Sequence, residues 1–223
     1  MDEIKNIIEK ILKDIQDKKE KISLPPIPKR CESCIDGDFQ IEGISFSCDF
    51  YGSNSCLIYQ NFLKENFGKT FINTTLEKVE ESIREKIEKY IKNIQKFILY
   101  GKGLTIIGSV GSGKTSILFL IIQELFKKGY PFYYNHSYKI FEDSDESLLN
   151  KKILLIDDLG VEVKNEWNKS FFDYLIDFRY RFKLTTIITS NLSEKKLKEE
   201  YPRAMDRLSS MNFKIFIQGG SRR

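Results

Sequence analysis

Residues 108–115 read GSVGSGKT, set between the apolar run LTIIG (104–108) and a helical apolar pattern that opens at Lys114. The stretch satisfies GxxxxGK[ST], and directly after a strand, at the start of a helix, is where that pattern has a mechanism. Gly108, Gly111 and Gly113 let the loop curl so that backbone N–H groups converge on phosphate oxygens, and Lys114 reaches the terminal phosphates of a nucleotide. The Thr115 hydroxyl is then placed for Mg²⁺, and Ser109, Val110, Ser112 and Ser116 complete the candidate nucleotide contacts. Such a loop needs a strand behind it and a helix in front, which points the chain toward an α/β fold.

Two later stretches fit the same chemistry. In ILLIDDLG (153–160) four apolar residues bury a strand and deliver two acids at its end. Asp157 is the candidate for the Mg²⁺ shell, and Asp158 for orienting or deprotonating an attacking water; a loop-capping acid is the competing explanation for Asp158. In TTIITSNLS (185–193) Asn191 stands at the tip of another strand, where it can position the same water. Its alternative is a cap for the helix SEKKLKEE, a task Ser193 also fits. EYPRAMDRL (200–208) and the terminal GGSRR add Arg203, Arg207, Arg222 and Arg223, planar cations suited to a transferring phosphoryl group. Surface solubility, or for Arg207 an ion pair with Asp206 or Glu200, competes with that role.

Helices and strands alternate from Leu76 onward. The pattern predicts a helix over 77–98, a strand at 104–108, a helix at 114–127, a strand at PFYYN (131–135), a short charged segment and a strand at 153–157. A helix over 166–182, a strand at 184–190, a helix over 193–200 and a strand at FKIFI (213–217) complete it. This order makes a parallel sheet flanked by helices, with strand ends meeting at one crevice. The aromatic clusters at 130–134 and 171–178 have strand and helix spacing, so they read as core packing, not base stacking.

The front of the chain is different. Cys31, Cys34, Cys48 and Cys56 lie within 26 residues, and the 167 residues after them hold no cysteine. A CxxC knuckle followed by two further thiolates suits a closed, structural Zn²⁺ site, against free thiols or a redox pair. His136, the only histidine, reads as a polar strand-end residue. Ile4, Ile7, Ile8, Ile11, Leu12 and Ile15 form one stripe of an amphipathic helix, either packed on the zinc module or offered to a partner. LPPIPKR ends that helix. Asn, Gly and Thr at 66–78 mark a boundary near 68, giving a helical, zinc-binding domain at 1–68 and a nucleotide domain at 69–223. The net charge of +4 is too small to argue for nucleic acid by itself. The N-terminus lacks the character of a signal peptide, and ILFLII (117–122) is far short of a membrane span, so a cytoplasmic protein with no membrane partner is expected.

In combination, GSVGSGKT, ILLIDDLG, the helix ending in FRYRF, TTIITSNLS, YPRAMDRL and GGSRR resemble the AAA+ ATPase domain of the bacterial replicative helicase loaders, the DnaC/DnaI family. The likeness runs over roughly residues 70–223, and the cysteine-rich front looks like the zinc-bearing helicase-binding domain of DnaI-type loaders. The resemblance implies an AAA+ P-loop fold with a five-stranded parallel sheet, ATP and ADP as ligands, and Mg²⁺. It also implies self-assembly through the ATPase domain, single-stranded DNA contact and a ring-shaped replicative DNA helicase as partner. It makes Lys114 and Thr115 Walker A residues, Asp157 and Asp158 Walker B, Asn191 sensor 1, Arg207 the arginine finger with Arg203 its companion, and Arg223 sensor 2. One departure is the short acidic segment at 136–152, where relatives carry a longer helical insertion. A transposition helper ATPase of the IstB type shares most of these motifs; an adaptor that binds ATP without hydrolysing it, and a small-molecule kinase, are further alternatives. The acidic EDSDE (142–146) has the wrong sign for a kinase lid.

Overall fold

The computed structural model describes residues 38–41, 44–47, 66, 67, 71, 74–128, 130–143, 146–160 and 165–217. The stripe over 4–15, Cys31, Cys34, Cys48, Cys56, Arg222 and Arg223 lie outside the described residues. In the front segment, β1 (Asp38–Ile41) and β2 (Ile44–Ser47) pair antiparallel, with Asp38 opposite Ser47 and Ile41 opposite Ile44. In sequence this hairpin falls between Cys34 and Cys48.

The rest is built on five parallel strands: β3 (Gly103–Gly108), β4 (Tyr133–His136), β5 (Ile153–Leu159), β6 (Thr185–Ser190) and β7 (Asn212–Ile217), in the spatial order β4-β5-β6-β3-β7. Both faces are covered. Side chains alternate across a strand, so Ile153 and Leu155 enter one core while Leu154 and Ile156 enter the other. The first core also takes Ile83 and Ile87 of α1 (Glu81–Lys92), Phe97 of α2 (Ile94–Leu99), and Leu118 and Phe119 of α3 (Lys114–Lys127). The second takes Phe141 of α4 (Ser137–Asp143), Phe172 and Leu175 of α5 (Glu166–Arg181), Leu197 of α6 (Glu194–Glu200), and Met205 and Leu208 of α7 (Pro202–Met211).

Three elements depart from the sequence expectation. The helix expected over 77–98 is a 3₁₀ turn at Leu76–Lys78 followed by α1 and α2. The break falls at Asn93, whose side-chain amide donates to the Lys89 carbonyl at 2.9 Å and so competes with the helical ladder. The charged segment after β4 contains α4 and a 3₁₀ turn at Glu146–Asn150, because Ile140, Phe141, Leu148 and Leu149 are buried among its acids. α7 begins with Pro202 in its first turn, where the missing N–H costs nothing. Among the described residues no helix is long and apolar enough to cross a membrane.

Candidate nucleotide and cation site

β3 ends at Gly108, the loop turns through Ser109–Gly113, and α3 starts at Lys114. Gly113 occupies the cap position at φ +97°, a left-handed conformation in which a side chain is strained even though open space surrounds it. The turn is closed by the Ser112 N–H donating to the Ser109 carbonyl at 3.2 Å. Lys114 Nζ donates to the carbonyls of Gly108 and Ser109, each at 2.9 Å. Burial lowers the pKa of this ammonium, and the nearby Asp158 and Asp157 charges work against that.

β5 is adjacent to β6, and a register shift between Ile156 and Leu159 interrupts their ladder at the two acids. Asp158 sits inside this irregularity at φ +55°, an uncommon backbone for a residue with a side chain and one found at functional sites. Two bonds hold it: its N–H donates to Thr189 Oγ1 at 2.9 Å and its carbonyl accepts from Ser137 Oγ at 2.8 Å; next to it Ser190 Oγ donates to the Leu159 carbonyl at 2.6 Å. Asp157 is fully buried. Its Oδ1 accepts from Thr115 Oγ1 at 3.4 Å and from Thr189 Oγ1, and its Oδ2 accepts from Tyr134 Oη at 3.3 Å. His136 Nδ1 lies 3.9 Å from the same Oδ2. Burial raises the Asp157 pKa above its ordinary value and the Asp158 charge adds to this; the Thr189 bond, His136 and the Thr115 bond pull it back. Burial, then Asp157, raises the Tyr134 phenol far beyond its usual range, so it stays a neutral donor.

The phosphate loop, the start of α3 and Asp158 border a cavity of about 470 Å³. Loop residues 110–113, the α3 residues Lys114, Thr115 and Ser116, and Asp158 and Asn191 line it together with the apolar Phe71, Val79, Ile83 and Ile217. A polar, N–H-rich lining together with apolar side chains matches the two halves of a nucleotide. Ser112 Oγ is buried in the loop without a hydrogen-bond partner among the described residues, an arrangement costly unless a ligand oxygen completes it. The residues therefore fit a phosphate group, and the hydroxyl–carboxylate pair Thr115–Asp157 fits the hard oxygen ligands of Mg²⁺.

Asn191 lines the cavity, and the cap of α6 falls to Ser193, whose Oγ accepts from the Lys196 N–H at 3.3 Å. Arg203 and Arg207 lie on α7 and do not line the cavity. Arg203 is exposed. Arg207 donates to Asp177 at 3.2 Å and Asp206 at 3.1 Å and lies 5.2 Å from the Tyr180 ring centre. Asp206 is thus a partner within the subunit, as the competing explanation expects, and Asp177 is a second. Sequence reasoning missed Tyr134, Thr189 and the approach of His136 to Asp157. Each belongs to a strand neighbouring β5, and the strand order that joins them is not written in any local pattern.

No protein-family model matches the sequence. No curated protein matches it either. Solved structures match by fold. The sheet order, the loop closing on α3 and the paired acids on β5 define an AAA+ P-loop ATPase fold. Within that class the fold is DnaC/DnaI-like over about two thirds of the chain. The crystal structure of the DnaC helicase loader matches with a TM-score of 0.59 and 24% identity, covering 67% of this chain and 99% of that one. The crystal structure of DnaI matches with a TM-score of 0.57 and 25% identity over 69% and 92% of the two chains. AMPPCP-bound DnaA from Aquifex aeolicus matches with a TM-score of 0.55 and 23% identity over 66% of this chain and 50% of that one.

Proposed function

We propose that this chain is an ATP-dependent loader of a ring-shaped replicative DNA helicase, cytoplasmic, binding and hydrolysing ATP in residues 69–223. Residues 1–68 carry structural Zn²⁺ on Cys31, Cys34, Cys48 and Cys56 and make the helicase contact. The observation that carries the reading is the convergence of Lys114, Thr115, Asp158 and Asn191 on one cavity, in a fold shared with nearly the whole of the solved DnaC and DnaI chains.

The loop N–H groups and Gly108–Ser116 bind the phosphates, and Lys114 neutralises their charge. Thr115 and Asp157 would hold Mg²⁺, which would supply positive charge to offset that of the phosphates. Asp158 takes the proton of the attacking water, and Asn191 orients that water. Arg207, with Arg203 beside it, serves a neighbouring subunit's site, and Arg223 its own. Assembly through the ATPase domain brings these together, and single-stranded DNA is a second ligand of the assembled form.

Co-purification with a ring helicase tests the reading. The full chain should form a complex with ATP present, and Lys114→Ala should lose the nucleotide dependence. A chain that binds ATP tightly and never retains a ring helicase would overturn the loader role while leaving the ATPase intact.

A further inference from the structure

The cation position beside Thr115 has one feature that the phosphate loop and its acids do not account for. His136 closes β4, which pairs parallel with β5 so that His136 stands opposite Asp157 in register. Donor atoms of His136, Asp157 and Asp158 all lie within 4.8 Å of one another. Metal–ligand bonds of about 2.1 Å put neighbouring donors roughly 3–4 Å apart, so the trio is close to closing on one ion.

The imidazole is also held in orientation. It stacks on Tyr138 with ring centres 5.7 Å apart and planes at 16°, and it meets Tyr134 edge-on at 5.9 Å. The side chain remains about one third exposed, so it is accessible to an ion although it does not itself line the cavity. The carboxylate it faces is fully buried, and Lys114 donates to the Gly108 and Ser109 carbonyls. A buried carboxylate without a fixed cationic partner is costly and favours a bound cation.

Oxygen donors alone suit Mg²⁺, a hard ion that keeps its waters. An imidazole nitrogen changes the preference, because affinity for nitrogen rises along the first-row divalent ions while Mg²⁺ gains little from it. We propose that His136 turns the cation position beside Thr115 into a mixed nitrogen–oxygen site that takes Mn²⁺ in preference to Mg²⁺. This rests on the reading of the cavity as a nucleotide–cation site and adds a selectivity to it.

Electron paramagnetic resonance of Mn²⁺ titrated into the full chain with a non-hydrolysable ATP analogue reads the site directly, with Mg²⁺ as competitor. Fluorescent-nucleotide binding is measured alongside in the presence of a chelator. The parent protein should show nitrogen coupling to bound Mn²⁺ that disappears in His136→Ala and His136→Gln. Its Mn²⁺ affinity should fall about tenfold in both variants while Mg²⁺ affinity changes less than twofold. Nucleotide bound together with Mn²⁺ but without nitrogen coupling, or with equal Mn²⁺ affinity in parent and variants, overturns the proposal and leaves the nucleotide site standing. Failure to bind nucleotide under any of these conditions removes both.

Discussion

Lys114 and Asp158 border the same cavity, and in the proposed mechanism they act on different states. There Lys114 neutralises phosphate charge that is present from the moment of binding, so Lys114→Ala should abolish tight nucleotide binding. Asp158 is proposed to act on the water, so Asp158→Asn should bind ATP at near-parental affinity and lose turnover by 10²-fold or more, on the order of general-base effects. Equilibrium binding and single-turnover hydrolysis separate the two; hydrolysis at the parental rate in Asp158→Asn would exclude it as the base. Asp157 carries a prediction of opposite sign for stability. Its pKa is raised by burial, so it holds its proton more tightly folded than unfolded. The fold therefore loses stability as pH rises from the ordinary carboxylate range through the raised value. Asp157→Asn removes the titrating group, so in chelator its melting temperature should fall less than the parent's as pH rises through that window, while it fails to retain the cation. Arg179 is the residue the sequence disguised most fully. It sits among FRYRF as a surface residue would, yet it is completely buried and donates to the carbonyls of Leu148, Leu149, Lys151 and Thr185 and to Thr186 Oγ1. Burial pushes it down to about 9, which leaves it protonated at neutral pH. Arg179→Ala orphans those acceptors and should cost about 3–5 kcal/mol in chemical denaturation. Arg179→Lys should recover only part, since a compact ammonium cannot span the same fork.

At the level of elements, the strands were legible because buried parallel strands are short apolar runs bounded by Gly, Asn and Asp, and LTIIG, ILLID and TTIITS all obey that rule. The phosphate loop was legible because its mechanism fixes both spacing and context. α7 was not, because a polar ten-residue helix led by Pro202 reads as a turn until Ala204, Met205, Leu208 and Met211 are seen packed on α5 and β7. The polar ring around Asp157 was hidden for another reason: Tyr134 and Thr189 look like ordinary strand formers, and only the order β4-β5-β6 makes them neighbours of one carboxylate. The packing of α7 on α5 also bears on Arg207. It is held by Asp177 and Asp206, and the proposed reach to another subunit's phosphates would require it to leave them. Exposed pairs of this kind are weak, so Asp177→Asn should speed assembled hydrolysis by no more than roughly fivefold. Mixing Arg207→Ala subunits with Lys114→Ala subunits should restore activity that neither has alone; a mixture as inactive as its components argues for a purely structural pair.

Across the whole molecule, the segment that enters the ATPase core from the front is part of its interior. The Phe67 ring centre lies 4.7 Å from that of Tyr134 and 5.4 Å from that of Phe119, and Phe71 both packs on Phe67 at 5.7 Å and lines the cavity. Phe67→Ala should therefore destabilise the domain by about 3–5 kcal/mol, as other large-to-small core changes do, and the loss is measurable by thermal melting of the full chain. Tyr134 carries the contact onward, since its hydroxyl rests on Asp157. A single ring thus touches the incoming segment with one face and the carboxylate with its tip. A partner that gripped the front and shifted this ring would change nucleotide affinity, and nucleotide would then change the partner's affinity by the same factor. Tyr134→Phe, which keeps the ring and removes only the hydroxyl bonded to Asp157, should weaken that coupling without dismantling the core, as read from nucleotide affinity with and without the partner.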